Sequence, residues 1–164
     1  MKILTSLRWL LVLVIVIAAA QPEIQWLNYP QALASAERDS MFVFVSIHAQ
    51  GCMPCREMEV TTFRDSAVVA TLNQKFLPVT LDALSDSLID CDHWPQSIKN
   101  CIINRWQIEG VPSFALIGPS GYLIAKFTDY QSPEQMRIML QSFLESRKIL
   151  LELDRKTKGN HENP

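Results

Sequence analysis

The chain has 164 residues, four cysteines and a 48% apolar content, with 15 basic residues against 17 acidic ones for a formal net charge of -2. That apolar share is enough for one buried core, so the length reads as one domain. The near-neutral, scattered charge excludes a nucleic-acid partner that works through a basic block, and neither an internal repeat nor a low-complexity tract is present.

The first twenty residues differ from the rest. Lys2 and Arg8 form a short positive region, Trp9 to Ala20 is an unbroken apolar run, and Ala18-Ala19-Ala20 supplies small residues before Gln21. This is the pattern of a secretory signal over residues 1–20. The run is short for a membrane span, which needs about 20 residues; an uncleaved anchor is the competing reading. Either way the remainder is expected to be exported, periplasmic or otherwise outside the cytoplasm, where disulfides form and persist.

Pro22 to Pro30 reads as an extended lead-in and Tyr29 to Asp39 as a helix. Met41 to Ile47 reads as a buried strand, because its apolar residues run on without alternation. A helix is expected from Cys52 to about Val60 and broken by Thr61-Thr62-Phe63. A second piece, capped by Asp65 or Ser66, runs to Leu72. Phe76 to Asp82 reads as a strand, with Pro78 at an edge position or at a site where no ladder donor is needed. Ala83 to Pro95, rich in Asp and Ser, reads as an inserted loop. Ser97 to Trp106 has helical spacing. Gly110-Val111-Pro112 leads into a strand at Ser113–Ile117, and Gly118-Pro119-Ser120-Gly121 is a hairpin turn to a partner strand at Tyr122–Phe127. Ser132-Pro133-Glu134-Gln135 is a helix start with a capping box. Its buried face is Met136, Leu140, Phe143 and Leu144, and the helix can continue to Leu153. Residues 21–153 are thus the domain, and the polar residues 154–164 are expected to be disordered.

The chemistry-bearing stretch is Gly51-Cys52-Met53-Pro54-Cys55-Arg56. A strand that ends at a Cys-x-x-Cys opening a helix makes a reactive thiol, since the helix N-terminus offers unpaired N–H groups and partial positive charge, both favouring thiolate. Cys52 would sit at the helix tip and Cys55 one turn in, an asymmetry suited to dithiol–disulfide exchange: one thiolate attacks, the other resolves. Pro54 falls within the first turn, where a missing N–H costs little. A bridge closing so small a loop is a poor staple, which favours a redox use.

The succession of strand, Cys-x-x-Cys helix, strand, helix, Val-Pro, strand, turn, strand and helix resembles the thioredoxin fold. Ile108-Glu109-Gly110-Val111-Pro112-Ser113-Phe114 is similar to that family's cis-proline stretch, and Ala49 stands where it often has alanine. The likeness covers roughly Met41 to Leu144. Cys55-Arg56-Glu57-Met58-Glu59, followed by Thr62-Phe63, an acid and a helix, resembles the C-terminal domain of the thiol:disulfide interchange protein D group, periplasmic reductant carriers. The resemblance implies an α/β fold with a central mixed sheet flanked by helices. It implies Cys52 as nucleophile, Cys55 as resolver and Pro112 as a cis residue facing them, with Val111, Met53 and Pro54 meeting the substrate. It implies protein substrates bearing cysteines or disulfides, exchange in the reducing direction, a membrane-bound reductant carrier as electron donor, and no organic cofactor. Three departures stand out. Gly51 replaces the usual tryptophan, Ser46 stands where the family commonly buries an acid, and the segment between Asp82 and Trp106 is longer than in a minimal thioredoxin.

Several residues carry two readings. Cys91 and Cys101, separated by Asp92 to Asn100, are a stapling disulfide or a second redox pair. His48 tunes the thiolate or only lines the site. Glu57, Glu59 or water could replace the missing acid. A different class of function is a copper-handling or metal-binding module using Cys52, Cys55, Cys91 and His93, with Met53 and Met58 as soft ligands. Otherwise Met53 is a partner contact and Met58 core, while Trp94, Trp106 and Phe114 are expected to pack inside.

Overall fold

Alternation along one strand divides the molecule into two cores. A computed structural model describes residues 22–162; the expected signal segment lies outside the described residues. Strand β1 (Val43–His48) sends Val43, Val45 and Ile47 into one apolar cluster and Phe44, with Phe42 just before it, into another. Both faces of β1 are covered, which is why its sequence shows no alternation between apolar and polar.

β1 pairs in parallel with β2 (Leu77–Asp82) and antiparallel with β5 (Ser113–Ile117), which pairs antiparallel with β6 (Leu123–Thr128). The sheet order is β2-β1-β5-β6. Pro78 lies on the edge strand, and its carbonyl accepts from Leu27 N–H at 2.8 Å on the side away from β1. Its missing N–H therefore removes no rung from the ladder.

One face carries α1 (Tyr29–Asp39). The other carries α2 (Met53–Val60), a 3₁₀ turn (Thr62–Arg64), α3 (Ser66–Lys75) and α5 (Pro133–Glu145). Asp65 caps α3 by accepting from the N–H groups of Ala67 and Val68, and it also pairs with Arg137 of α5 at 2.8 Å. The Ser132–Gln135 capping box starts α5, whose Met136, Leu140 and Phe143 are buried.

The segment expected to be an inserted loop is instead a hairpin, β3 (Leu88–Cys91) with β4 (Trp94–Ser97). Its two-residue turn, Asp92-His93, has φ of 51° and 65°, the left-handed conformation that tight hairpins require. Asp92 holds the turn in place. Its carboxylate accepts from Arg105 Nε at 2.9 Å, Trp106 Nε1 at 3.4 Å and Leu123 N–H at 3.0 Å. The hairpin buries Ile89 and Cys91 between exposed Leu88 and Asp90, a period of two already present in the sequence. Trp94, expected inside, is 71% exposed, because it sits at the outer edge of the turn; Trp106 and Phe114 are buried.

After the hairpin, α4 (Ile98–Asn100) runs on as a π-helical turn (Cys101–Arg105). The C-terminal residues expected to be disordered form most of α6 (Arg147–Glu162), which follows α5 after a break at Ser146. The reason is a buried carboxylate. Asp154 is 4% exposed and accepts from the backbone N–H and the hydroxyl of Ser120 in the β5–β6 turn. His161 stacks on Tyr122 with ring centroids 4.7 Å apart, and Leu150 and Leu151 pack on the core. Among the described residues, no helix is long and apolar enough to cross a membrane.

Candidate active site

The site forms where β1 ends and α2 begins. Gly51 turns the chain with φ of 82°, a conformation that glycine takes without steric cost. Cys52 then occupies the N-cap of α2, and its Sγ accepts from Cys55 N–H at 3.2 Å. Pro54 lies in the first turn, so the helix starts with no donor wasted. Cys52 and Cys55 are joined as a disulfide, with Cα atoms 5.3 Å apart. The two cysteines have different surroundings. Cys52 is half-buried at the helix tip beside Met53, which is 70% exposed, whereas Cys55 is only 6% exposed. When the bond is reduced, the N-terminal N–H groups of α2 favour a thiolate at Cys52.

Behind the disulfide lies a cleft of about 390 Å³. Cys55, Ser46, His48, Thr80, Glu59 and Pro112 line it from the sheet, α2 and the β5 side. Strand alternation explains two of these: Ser46 and His48 share the face of β1 that carries Phe44, the face covered by α2. Ser46 is buried at 6% and supplies a hydroxyl where an acid would stand in the resembled family. Of the two carboxylates weighed in its place, Glu59 lines the cleft and Glu57 does not.

The lead-in, expected only to be extended, builds the outer wall. Glu23, Ile24 and Trp26 of the lead-in close the cleft together with Phe63 and Arg64. Glu23 pairs with Arg64 at 2.5 Å, Trp26 meets Phe63 edge-on at 5.3 Å, and Asn73 clamps the strap through Gln25 N–H and the Glu23 carbonyl. The sequence signal for it is Ile24 and Trp26, apolar residues that alternate with polar Glu23 and Gln25.

The Val111–Pro112 peptide bond is cis, and Pro112 lines the same cleft as Cys55. The loop is held on three sides. Ser113 Oγ donates to the Gly110 carbonyl at 2.6 Å, Asp129 N–H to the Pro112 carbonyl at 3.0 Å, and Lys126 Nζ to the Trp106 and Gln107 carbonyls at 2.7 Å each. Val111 is half-buried, and among the described residues its own backbone N–H and C=O make no hydrogen bond.

Cys91 and Cys101 are bonded to each other and both are 0% exposed. The metal set weighed above is not assembled. Both ligating cysteine pairs are disulfides, and His93 sits at the hairpin tip with Nε2 2.6 Å from the Ser120 carbonyl and its ring 4.8 Å from Tyr122. Met58 is buried in the core while Met53 faces outward. Among the described residues no group of three or more His, Cys, Asp or Glu is placed to hold a metal ion.

The arrangement can carry out thiol–disulfide exchange: a small-loop disulfide at a helix N-terminus, one sulfur near solvent and its partner shielded. Comparison with known proteins agrees. Thiol:disulfide interchange protein DsbD 2 of Pseudomonas aeruginosa is 30% identical over 89 residues, 54% of this chain but 14% of that protein's length. Three solved structures share the thioredoxin-like fold. A thioredoxin from Thermus thermophilus matches with a TM-score of 0.61 at 19% identity, over 76% of this chain and 89% of that one. A structure titled DsbH Oxidoreductase matches at 0.54 and 19%, over 84% and 89%. The C-terminal domain of Neisseria meningitidis DsbD in its reduced form matches at 0.51 and 13%, over 69% and 91%. The family model Thioredox_DsbH, described as a protein of unknown function, DUF255, matches residues 14–158. The chain belongs to this thioredoxin-like DsbH/DUF255 family.

Proposed function

We propose that this chain is an exported thiol:disulfide oxidoreductase that exchanges the Cys52–Cys55 pair with partner proteins in the reducing direction. The observation that carries the reading is the disulfide at the N-terminus of α2, with Cys55 shielded and Cys52 at the tip. In the dithiol form, the Cys52 thiolate attacks a partner disulfide and forms a mixed disulfide, and one partner sulfur leaves as a thiol. Cys55, having lost its proton, attacks Cys52 Sγ. The Cys52–partner bond breaks, the second partner sulfur leaves as a thiol, and Cys52–Cys55 is oxidised. Two electrons and two protons pass to the partner.

Pro112 lines the same cleft as Cys55, and the free backbone groups of Val111 suit an extended substrate segment, which would add as a short strand. Met53 and Pro54 form the exposed rim that such a segment would cross. The likeness to a thiol:disulfide interchange protein supports partner proteins with cysteines or disulfides; exchange in the reducing direction also needs an electron donor, for which we propose a membrane-bound reductant carrier. Read as a signal, residues 1–20 support exchange in the periplasm or another exported compartment, with the thioredoxin-like domain from residue 21. We assign Cys91–Cys101 a structural role, since both sulfurs are sealed from any partner.

The test is the equilibrium reduction potential of Cys52–Cys55, measured against glutathione and dithiothreitol with Cys91–Cys101 left intact. A value near about -270 mV supports reductant transfer, whereas one near about -120 mV means a strong oxidant and reverses the direction. Failure to equilibrate with either couple would remove the exchange reading altogether.

A further inference from the structure

Each turn of the exchange moves a proton on or off Cys55, which is only 6% exposed and has little direct contact with bulk water. The position from which a buried acid would serve it holds Ser46, and a hydroxyl is no base near neutral pH. We propose that His48 takes this proton, through the cleft behind the disulfide. The proposal rests on the exchange reading above and names the group that completes it.

Three observations support it. His48 lines the same cleft as Cys55, on the face of β1 that also presents Ser46, so the two residues share one cleft. The ring is half-buried and, among the described residues, makes no hydrogen bond, ion pair or ring contact; it is not committed to holding the fold. Contrast His93 and His161, both engaged at the opposite end of the sheet with Ser120 and Tyr122. Imidazole is also the side chain whose ordinary titration falls between pH 5 and 8, where a base must accept and return a proton within one cycle. A carboxyl ordinarily titrates near 4 and would hold the proton too weakly.

Two carboxylates lie on the ring's side of the site. Glu59 faces the cleft from α2, and Asp82 stands beside His48 across the β1–β2 register. Glu23 of the lead-in is neutralised by Arg64 of the 3₁₀ turn. From β5, the neighbours are Pro112 and Ser113, both uncharged. Cys55 Sγ–H gives its proton to the imidazole, the thiolate attacks Cys52 Sγ, and the imidazolium returns the proton to the departing partner sulfur or to water.

The test separates the two half-reactions. The reduced full chain is oxidised by excess glutathione disulfide, and release of the first and second glutathione is followed from pH 5 to 9. For His48→Gln the first release is expected to keep its wild-type rate. The second should slow about tenfold at pH 7, with a profile that rises only with thiol ionisation and with recovery on adding free imidazole. His93→Gln is the remote control and should match wild type. His48→Asn serves as the second variant should glutamine perturb folding. A wild-type second-step profile in both His48 variants would overturn the proposal. So would equal slowing of both releases, which indicates a field effect on Cys52. If wild type itself releases no glutathione, the exchange reading falls first, and this assignment with it.

Discussion

The two disulfides close loops of different size in opposite surroundings, and the contrast shows how one bond chemistry serves two ends. Cys52–Cys55 spans three positions at a helix tip, with one sulfur half-buried. So short a loop removes little chain entropy, so its worth lies in being broken and remade. Cys91–Cys101 spans ten positions and is sealed in the core with Trp106, Ile102 and Ile89. It fastens the β3–β4 hairpin to the π-helical turn that leads, through Ile108 N–H on the Ile102 carbonyl at 2.9 Å, toward the Val111–Pro112 loop. Exposure, more than the bond itself, decides which disulfide a partner can reach.

The sharpest way to break this contrast is to remove one sulfur from each pair. Cys52→Ser should abolish turnover of a protein disulfide such as insulin, to background in a turbidity assay. Cys55→Ser should retain the first attack and accumulate a mixed disulfide visible by mass. Neither change should move the thermal midpoint much, since the small loop contributes little. Next in size is the paired change Cys91→Ala with Cys101→Ala. Loop closure by a bridge of this span is worth about 3 kcal/mol, which for a chain of this length lowers the midpoint by roughly 6–12 °C. Below that temperature the exchange rate of Cys52–Cys55 should stay within about twofold of wild type. A loss of exchange in the folded double variant would show that the buried pair relays electrons and would remove its structural assignment.

The same contrast governs what could be read from the sequence. The catalytic side was legible because each signal there is local: Cys-x-x-Cys after an apolar run, Asp65 before α3, the Ser132–Gln135 box. The stapled side was less so. The hairpin turn at Asp92-His93 lacks the glycine that usually marks such turns, and its conformation depends on Arg105, Trp106 and Leu123, which lie far along the chain. The C-terminal helix was missed for a similar reason. Its polar sequence says nothing of Ser120, and only the fold brings Asp154 to it. That contact also explains Gly118: a Cβ there would lie 1.9 Å from the Asp154 carboxylate. The outer wall of the cleft needed tertiary information too, because Glu23 and Arg64 are 41 positions apart.

The smallest expected effect tests how tightly the stapled core is sealed. Tyr29 is 3% exposed and packs edge-on against Trp106, and its buried hydroxyl has no hydrogen-bond partner among the described residues. Burial, reinforced by the nearby Asp92 and Asp90, pushes its ionisation far above the ordinary value of 10.0. The folded chain therefore keeps its phenol proton at a pH where the unfolded chain releases it. With fewer protons bound in the unfolded state, stability falls as pH rises past about 10. Tyr29→Phe removes both the unpaired hydroxyl and this linkage. Urea unfolding at pH 7 should show it unchanged or more stable by up to about 1 kcal/mol. Between pH 10 and 11 its stability should decline less steeply than that of wild type. A variant less stable than wild type at pH 7 would mean that the hydroxyl has a partner, such as a bridging water, and that this side of the sheet is less dry than its staple suggests.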